Sequence, residues 1–590
     1  YPLIFKLNSI FIGSHGDPSS TVWFMWWFKK AWKDNILNLF CRIIAAPFGY
    51  DFSNSIPYYF TDNLFFIFTS IFGEISAYNI VLFLSYPLSA ITMYFLIYYF
   101  TKNKLVSMIS GLIYSLCPYH YLRIQGHILL SLIEWIPLYF LFLFKFDEKR
   151  TIRSAIQLGF IFSFLFLLSY YYGFFCVLLT ILFFIVRISY SIIRKQIEEL
   201  SLSYFLKITL AGCIFTLIVL PHFLQFFALV KEVPTHFIKE LHQLEIFSAR
   251  IWEYFIPSPG NPFFKNLVSD FIFSHLHGSH LGESTLYLGY VVIIFAVLGI
   301  FYFYKDKIIE KRLYFFYLIT SIIFSIIISL DPTPKVFNME IKFPSYYLFK
   351  LIPMFRVYTR FYPFILMSLI VIASIGMKKV LEKMKSANYK VIFTVVVILF
   401  IILEFINFPP FRTTDLSKTP DVYQWIKEQP GDFIVAEYPL VAQDQIENSI
   451  YSFYQIRHKK RIFNGMYMFT YADKIRGIID DLREQSDIDL LGFYGIKYVI
   501  AHDNQPKYAE YKLHQLEKLN LVKQFKNTNV YDTGYKVLEK DIFTGKDVYW
   551  IEGNIYSVSE ILRFEDFKNE DIILISDVVE DSSEIIGNGF

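Results

Sequence analysis

The sequence has little cysteine, almost no excess of either charge, and no repeat. Its four cysteines, Cys41, Cys117, Cys176 and Cys213, stand far apart without CxxC spacing. That excludes a disulfide-stapled scaffold and leaves them as small apolar residues. None lies beyond residue 408, so the C-terminal region does not depend on disulfides. Basic residues number 55 and acidic 52, a formal net charge of +3, which gives no reason to expect a nucleic-acid partner. Internal repeats and low-complexity linkers are absent. The chain opens at Tyr1 with no signal-peptide pattern, and the apolar stretch 1–12 is too short to cross a bilayer. The expectation is that this stretch is the remnant of a truncated first helix.

What is present is apolar. Of 590 residues, 55% are hydrophobic and 20% aromatic, above the usual share of a soluble domain. The excess lies before about residue 408, in runs long enough to span roughly 30 Å of hydrocarbon. The runs predict helical spans near 77–100, 105–118, 128–146, 154–169, 172–188, 204–228, 284–304, 313–330, 359–377 and 391–408, or about eleven with the N-terminal stub. The run 154–188 is too long for one crossing and is broken at Ser169–Gly173.

The loops alternate in character. Short basic ones carry Lys102 and Lys104; Lys149, Arg150 and Arg153; Arg194 and Lys195; Lys305 to Arg312; and Lys378 to Lys385. The others, 13–76, 119–127, 229–283 and 331–358, are mostly longer, aromatic and rich in Pro and Gly. The positive-inside rule places the basic set in the cytoplasm and the rest outside. The expected architecture is an α-helical polytopic membrane domain over 1–408. After a hinge at Phe408-Pro409-Pro410, an extracytoplasmic α/β domain follows over 413–590. Within that domain the pattern predicts helices at 421–428, 471–483 and 508–519. It also predicts strands at 433–438, 498–501, 522–525, 530–531 and 535–538.

Ionisable residues near membrane depth are costly and are functional candidates by default. Most of them fall on the outer face: Asp17, Arg123, His127, Glu134 about two turns into a span, His275, His277, His280, Glu283, and Arg356 with Arg360. The last two are four apart and are expected to share a helix face. A carboxylate such as Asp17 suits a general base, and arginines suit an anionic phosphate. Blander roles exist for each. Asp17 suits a helix start, and the arginines suit interfacial anchoring. The tryptophans of the first loop, Trp23, Trp26, Trp27 and Trp32, suit an aromatic belt or a sugar platform. The string His275-x-His277-x-x-His280-x-x-Glu283 invites a metal but lacks a fixed ligand geometry.

Gly16-Asp17-Pro18 followed by Trp23 and Trp26-Trp27 resembles the first external loop of GT-C membrane glycosyltransferases. Ser110 to Tyr114, Pro118-Tyr119, Arg123, Gly126-His127 and Trp135-Ile136-Pro137 are similar to a bacterial, YfhO-like branch of that superfamily. So are Gly282-Glu283-x-x-Leu286-Tyr287-x-Gly289-Tyr290 and Pro353-x-x-Arg356-x-x-x-Arg360, and, in the C-terminal region, Tyr494 to Ile500. The resemblance covers about residues 13–376. It implies a multi-pass enzyme of the plasma membrane that moves a sugar from a polyprenyl-phosphate-linked donor to a glycan, lipid or protein acceptor, with Asp17 as base. Arg123, His127, Glu134, His280, Glu283, Arg356 and Arg360 would be substrate-binding. Asp17 has no clear second carboxylate beside it, so a divalent metal stays an open option and no cofactor is assigned. Two rival classes remain, a flippase or transporter of a lipid-linked substrate and a non-enzymatic envelope assembly protein.

Overall fold

The structure is a computed structural model. It describes residues 2–557 apart from 35–39, 53–64, 233–236, 279–280, 306–310, 337–338, 409–410, 442–445, 466–470, 481, 483–484, 503–515, 535–547 and 552–553. The chain forms two compact units. One comprises residues 56–65 and 77–413; the other comprises 1–55, 66–76 and 414–590.

The first of these, the helical unit, contains α1 (Glu74–Thr101), α2 (Lys104–Ser115), α3 (Trp135–Lys149), α4 (Ile152–Leu168) and α5 (Tyr170–Ile193). It continues with α6 (Leu202–Glu232), α7 (Tyr290–Lys305), α8 (Arg312–Ser329), α9 (Tyr362–Lys383) and α10 (Ala387–Phe405). Each lies on one of the apolar runs expected to span. Six described helices are long and apolar enough to cross a membrane, and α4 and α7 are shorter apolar helices. The protein is a multi-pass membrane protein.

The helices pack where side chains are small. A Cβ on Gly299 of α7 would lie 2.1 Å from the Ile372 carbonyl oxygen of α9, and one on Gly376 of α9 would lie 2.3 Å from the Phe295 oxygen. Without side chains at the crossing, the two backbones touch, the close-approach mode common in bilayers. The expected break falls at Ser169, whose extended backbone (φ −150°) ends α4 before α5 begins.

The turns after α1, α3 and α5 carry left-handed basic residues, Lys102, Arg150 and Lys195. Cations there face helix carboxyl ends and complement the dipole. Beneath one of these turns lies a buried polar network. Asp147 of α3 accepts from Arg187 Nε of α5 at 2.9 Å, from Tyr204 of α6 at 2.8 Å and from Tyr314 of α8 at 3.0 Å. Four helices are tied by one fully partnered carboxylate.

The second unit centres on a five-stranded sheet of β1 (Ile434–Tyr438), β2 (Arg461–Ile462), β3 (Ile496–His502), β4 (Asn520–Phe525) and β5 (Thr528–Asp532), in the order β4-β5-β3-β1-β2. β1 runs parallel to β2 and β3, while β5 is antiparallel to β3 and β4. Six of the expected elements coincide with described ones. The strand at 535–538 and most of the helix at 508–519 lie outside the described residues, as does Pro409-Pro410. Helices at Ile446–His458 and Gln485–Phe493 had no counterpart in the sequence reading.

The N-terminal segment, expected to belong with the spans, clusters with this sheet instead. The presumed helix remnant is a four-residue helix, Pro2–Phe5, followed by a strand at Ile10–Ile12. Helix Asp17–Lys33 packs on helix Ile446–His458, and Trp23 Nε1 donates to Gln455 Oε1 at 2.8 Å. Trp23 and Trp27 are each 2% exposed. They are core residues of this unit rather than a belt or a sugar platform, adding large indole faces to the buried Val22, Phe24, Met25 and Phe28 of the same helix.

Candidate functional site

In the helical unit, three segments distant in sequence meet at one carboxylate. Arg123 closes the short helix Pro118–Arg123, which starts with a proline at its first turn. Glu283 sits on the turn Leu281–Ser284, and Arg360 on the 3₁₀ turn Tyr358–Phe361 that leads into α9. Arg123 Nη1 donates to Glu283 Oε1 at 2.7 Å, and Nη2 donates to Oε2 at 2.5 Å and to the Gly282 carbonyl at 2.9 Å. Arg360 donates to Oε1 through Nη2 at 2.8 Å and Nε at 3.2 Å, and Thr359 Oγ1 adds a contact at 3.4 Å.

The triad is buried, and both guanidinium planes lie on aromatic rings. Arg123 is 4.7 Å from the Tyr119 centroid and Arg360 is 4.4 Å from that of Tyr171. Tyr119 stacks on Tyr362, and its hydroxyl meets that of Tyr172 at 3.0 Å. Burial alone would raise the Glu283 carboxyl. The two arginines outweigh it and hold the group well below the usual carboxylate range. Two guanidinium groups against one carboxylate leave one unit of positive charge in a site of low dielectric. Arg123 Nε is buried without a hydrogen-bond partner among the described residues. An unpaired buried donor beside uncompensated positive charge is suited to receiving an anion.

Not every expected residue joins this group. Arg356 does not share a helix face with Arg360. It precedes the 3₁₀ turn in irregular chain, because Pro363 sets the start of α9 and Val357 is extended. Its Nη1 donates to Gln243 Oε1 at 2.7 Å, and its guanidinium covers the Phe247 ring. His127 is half-buried, and its backbone N–H closes the turn on the Arg123 carbonyl at 2.8 Å. Glu134 is not two turns into a span. It is the residue before α3, because the chain kinks after the short helix Ile128–Ser131. It is buried, with Oε2 unpartnered among the described residues.

His280 lies outside the described residues. His277 Nε2 contacts the Ser248 carbonyl at 2.7 Å, and His275 is exposed against Ser274 and Phe271. Among the described residues no three of His, Cys, Asp and Glu gather as metal ligands would. Glu283, a proposed member of that string, is already taken by the arginines.

Sequence reading did not pick out Tyr119, Tyr171 or Thr359 as members of the site. Tyr119 was legible in principle, since it stands four residues before Arg123 on one helix face. Nor did sequence reading single out Glu253. It is buried, with Oε2 accepting from the Arg250 backbone at 2.9 Å and Oε1 3.8 Å from His277 Nδ1.

In the sheet unit, Asp17 is the first residue of helix Asp17–Lys33 and is exposed. Its carbonyl accepts from Thr21 Oγ1 at 2.9 Å. Gly16 before it has φ +119°, a left-handed backbone that glycine adopts without strain and that starts the helix at Asp17.

No family model and no curated protein matches the sequence. Among solved structures, the chain is similar to the oligosaccharyltransferase of Archaeoglobus fulgidus in its apo form. The TM-score is 0.48 at 11% identity over 88% of this chain and 70% of that one. The same archaeal enzyme, AglB, in complex with an inhibitory peptide and a dolichol-phosphate matches with TM-score 0.40 at 13% identity over 87% and 70%. ArnT from Cupriavidus metallidurans bound to undecaprenyl phosphate matches with TM-score 0.38 at 10% identity over 90% and 95%.

Proposed function

We propose that the protein is a membrane glycosyltransferase. It takes a sugar from a polyprenyl-phosphate-linked donor and delivers it to an extracytoplasmic glycan, lipid or protein acceptor. The observation that carries this reading is the Arg123–Glu283–Arg360 triad, with its residual positive charge and the bare Nε of Arg123. Such a site fits the phosphate of a lipid carrier. As the bond between the sugar anomeric carbon and phosphate oxygen breaks, the electron pair and negative charge pass to the phosphate. Fixed guanidinium groups stabilise that charge without reorganising, on the order of 3 kcal/mol per well-placed donor.

Glu283 acts as a positioning residue. It fixes both guanidinium planes and keeps the net charge at one unit, enough to attract the carrier and still release it. Asp17 takes the proton of the acceptor hydroxyl as that oxygen bonds to the anomeric carbon. Asp17 is exposed, as a group that meets an acceptor arriving from water must be. Arg356, His127 and Glu134 bind other parts of the donor, and the sheet unit, on the extracytoplasmic side of the plasma membrane, holds the acceptor.

The test uses the full chain in proteoliposomes with radiolabelled lipid-linked sugar. Asp17→Asn should abolish transfer while leaving donor binding unchanged, and Arg360→Gln should weaken donor binding. Wild-type transfer by Asp17→Asn would remove Asp17 from the reaction. Labelled donor that crosses the bilayer chemically intact would replace the enzyme with a transporter.

A further inference from the structure

The sheet unit carries a buried carboxylate at the point where its strand order reverses. From β1 the chain passes through helix Ile446–His458 to β2 on one side, then returns to form β3 on the other side of β1. β1 and β3 are parallel neighbours, and β3 leads on to β4 and β5 on its far side. The connections leaving their carboxyl ends therefore diverge. Where strand order reverses in this way, a crevice forms outside the carboxyl ends, and open α/β sheets bind ligands there. Glu437, the fourth residue of β1, and His502, the last of β3, stand at that end.

Glu437 is 0% exposed. Its Oε2 accepts from Tyr423 Oη of helix Asp421–Glu428 at 2.7 Å and from His502 Nε2 at 2.7 Å. The other oxygen, Oε1, is buried with no hydrogen-bond partner among the described residues. A carboxylate that served only to tie strand to helix would have both oxygens filled, because a bare buried acceptor is costly. Rings surround the group. Tyr451 stacks on His502 with centroids 5.2 Å apart, and Tyr423 stacks on Tyr454 at 4.4 Å. Tyr454 is half-buried while Tyr423 and Tyr451 are buried, so the approach from water is past Tyr454. Aromatic walls with one aimed polar atom are the make-up of a site for a small organic ligand, and the bare acceptor requires that ligand to bring a donor.

We propose that this end of the sheet binds a saccharide, with Glu437 Oε1 accepting from a hydroxyl or amino group and Tyr454 covering the sugar ring. The inference rests on the reading that the sheet unit holds the acceptor, and it narrows that acceptor to a glycan.

The test uses the full chain in phosphatidylcholine nanodiscs, titrated with methyl β-glucoside, N-acetylglucosamine and glucosamine, with contact read by saturation-transfer NMR. Wild type should contact at least one of them, and preference for glucosamine would assign the donor as an amino group rather than a hydroxyl. Glu437→Gln should raise the dissociation constant about tenfold, as expected for loss of a charge-assisted hydrogen bond. Tyr454→Leu, at a half-exposed position, should raise it several-fold and keeps the test decisive where Glu437→Gln fails to fold. Equal affinity in wild type and variants would overturn the site and leave Oε1 to a buried water. No contact with any of the three sugars would overturn it too, and the enzyme reading would stand if the same protein still transferred sugar from labelled donor in proteoliposomes. Sugar contact without any transfer would keep the site and overturn the enzyme.

Discussion

Arg123 grips Glu283 across 160 positions of sequence with a two-pronged contact, Nη1 to Oε1 at 2.7 Å and Nη2 to Oε2 at 2.5 Å. The pair is buried, and Arg360 completes it on the other side. Charge and planarity both matter here, because only a guanidinium offers two parallel donors to one carboxylate.

Arg123→Lys keeps the charge and loses the fork. Affinity for polyprenyl phosphate should fall by about tenfold, as expected for the loss of one charge-assisted hydrogen bond. Titration of the nanodisc-embedded protein with polyprenyl phosphate measures it. Unchanged affinity would place the carrier phosphate elsewhere.

Glu283→Gln leaves two buried guanidinium groups without their counter-charge. Removing one partner of a buried ion pair costs about 3–5 kcal/mol, so thermal unfolding in detergent should shift markedly downward. Pairing the change with Arg360→Gln should recover part of the loss, since the surplus charge is then removed. A strictly additive double variant would mean the two residues are not coupled.

Asp147→Ala should destabilise the helical unit comparably without altering donor affinity. It takes away one of the two carboxylates that Arg187 pairs with, leaving Glu199 at 2.6 Å, and removes the acceptor shared by Tyr204 and Tyr314. Melting temperature and polyprenyl phosphate binding, read on the same sample, separate this structural effect from an effect on the phosphate site.

The segment around Glu253 should loosen in alkali. Burial pushes this carboxyl up to about 8, only partly offset by the Arg250 backbone hydrogen bond and charge. The folded state thus holds the proton more tightly than the unfolded chain. Its stabilising contribution is full below 4.5, the ordinary value, and is lost as pH rises through about 8. Hydrogen exchange over residues 248–278, corrected for intrinsic rate, should accelerate from pH 6 to pH 9 in the wild type and change little in Glu253→Gln. Equal acceleration in both would assign the effect to another group.

Acid should loosen the sheet unit. Burial, with Lys460 nearby, pushes His458 down to about 3. Its neutral form contributes stability above the ordinary value of 6.5, and that contribution is lost as pH falls toward 3. Exchange in helix Ile446–His458 should rise on acidification, less so in His458→Gln. Identical acid profiles would exclude this histidine.

The ten apolar helices, the break at Ser169 and the mixed α/β character of the C-terminal region were legible in the residues alone. Each is a local property: a run of about twenty apolar side chains must become helix in a bilayer, whatever lies next to it. Arg123, Glu283 and Arg360 could be named as candidates for the same reason, since charge near membrane depth is costly wherever it occurs. Only the tertiary structure decided that these three share one carboxylate, that Arg356 turns away to Gln243, and that Trp23 and Trp27 are core of the unit built on the C-terminal sheet. Those facts depend on which distant segments meet. A pairing across 160 residues is set by chain topology and close packing, which no local pattern of residues encodes.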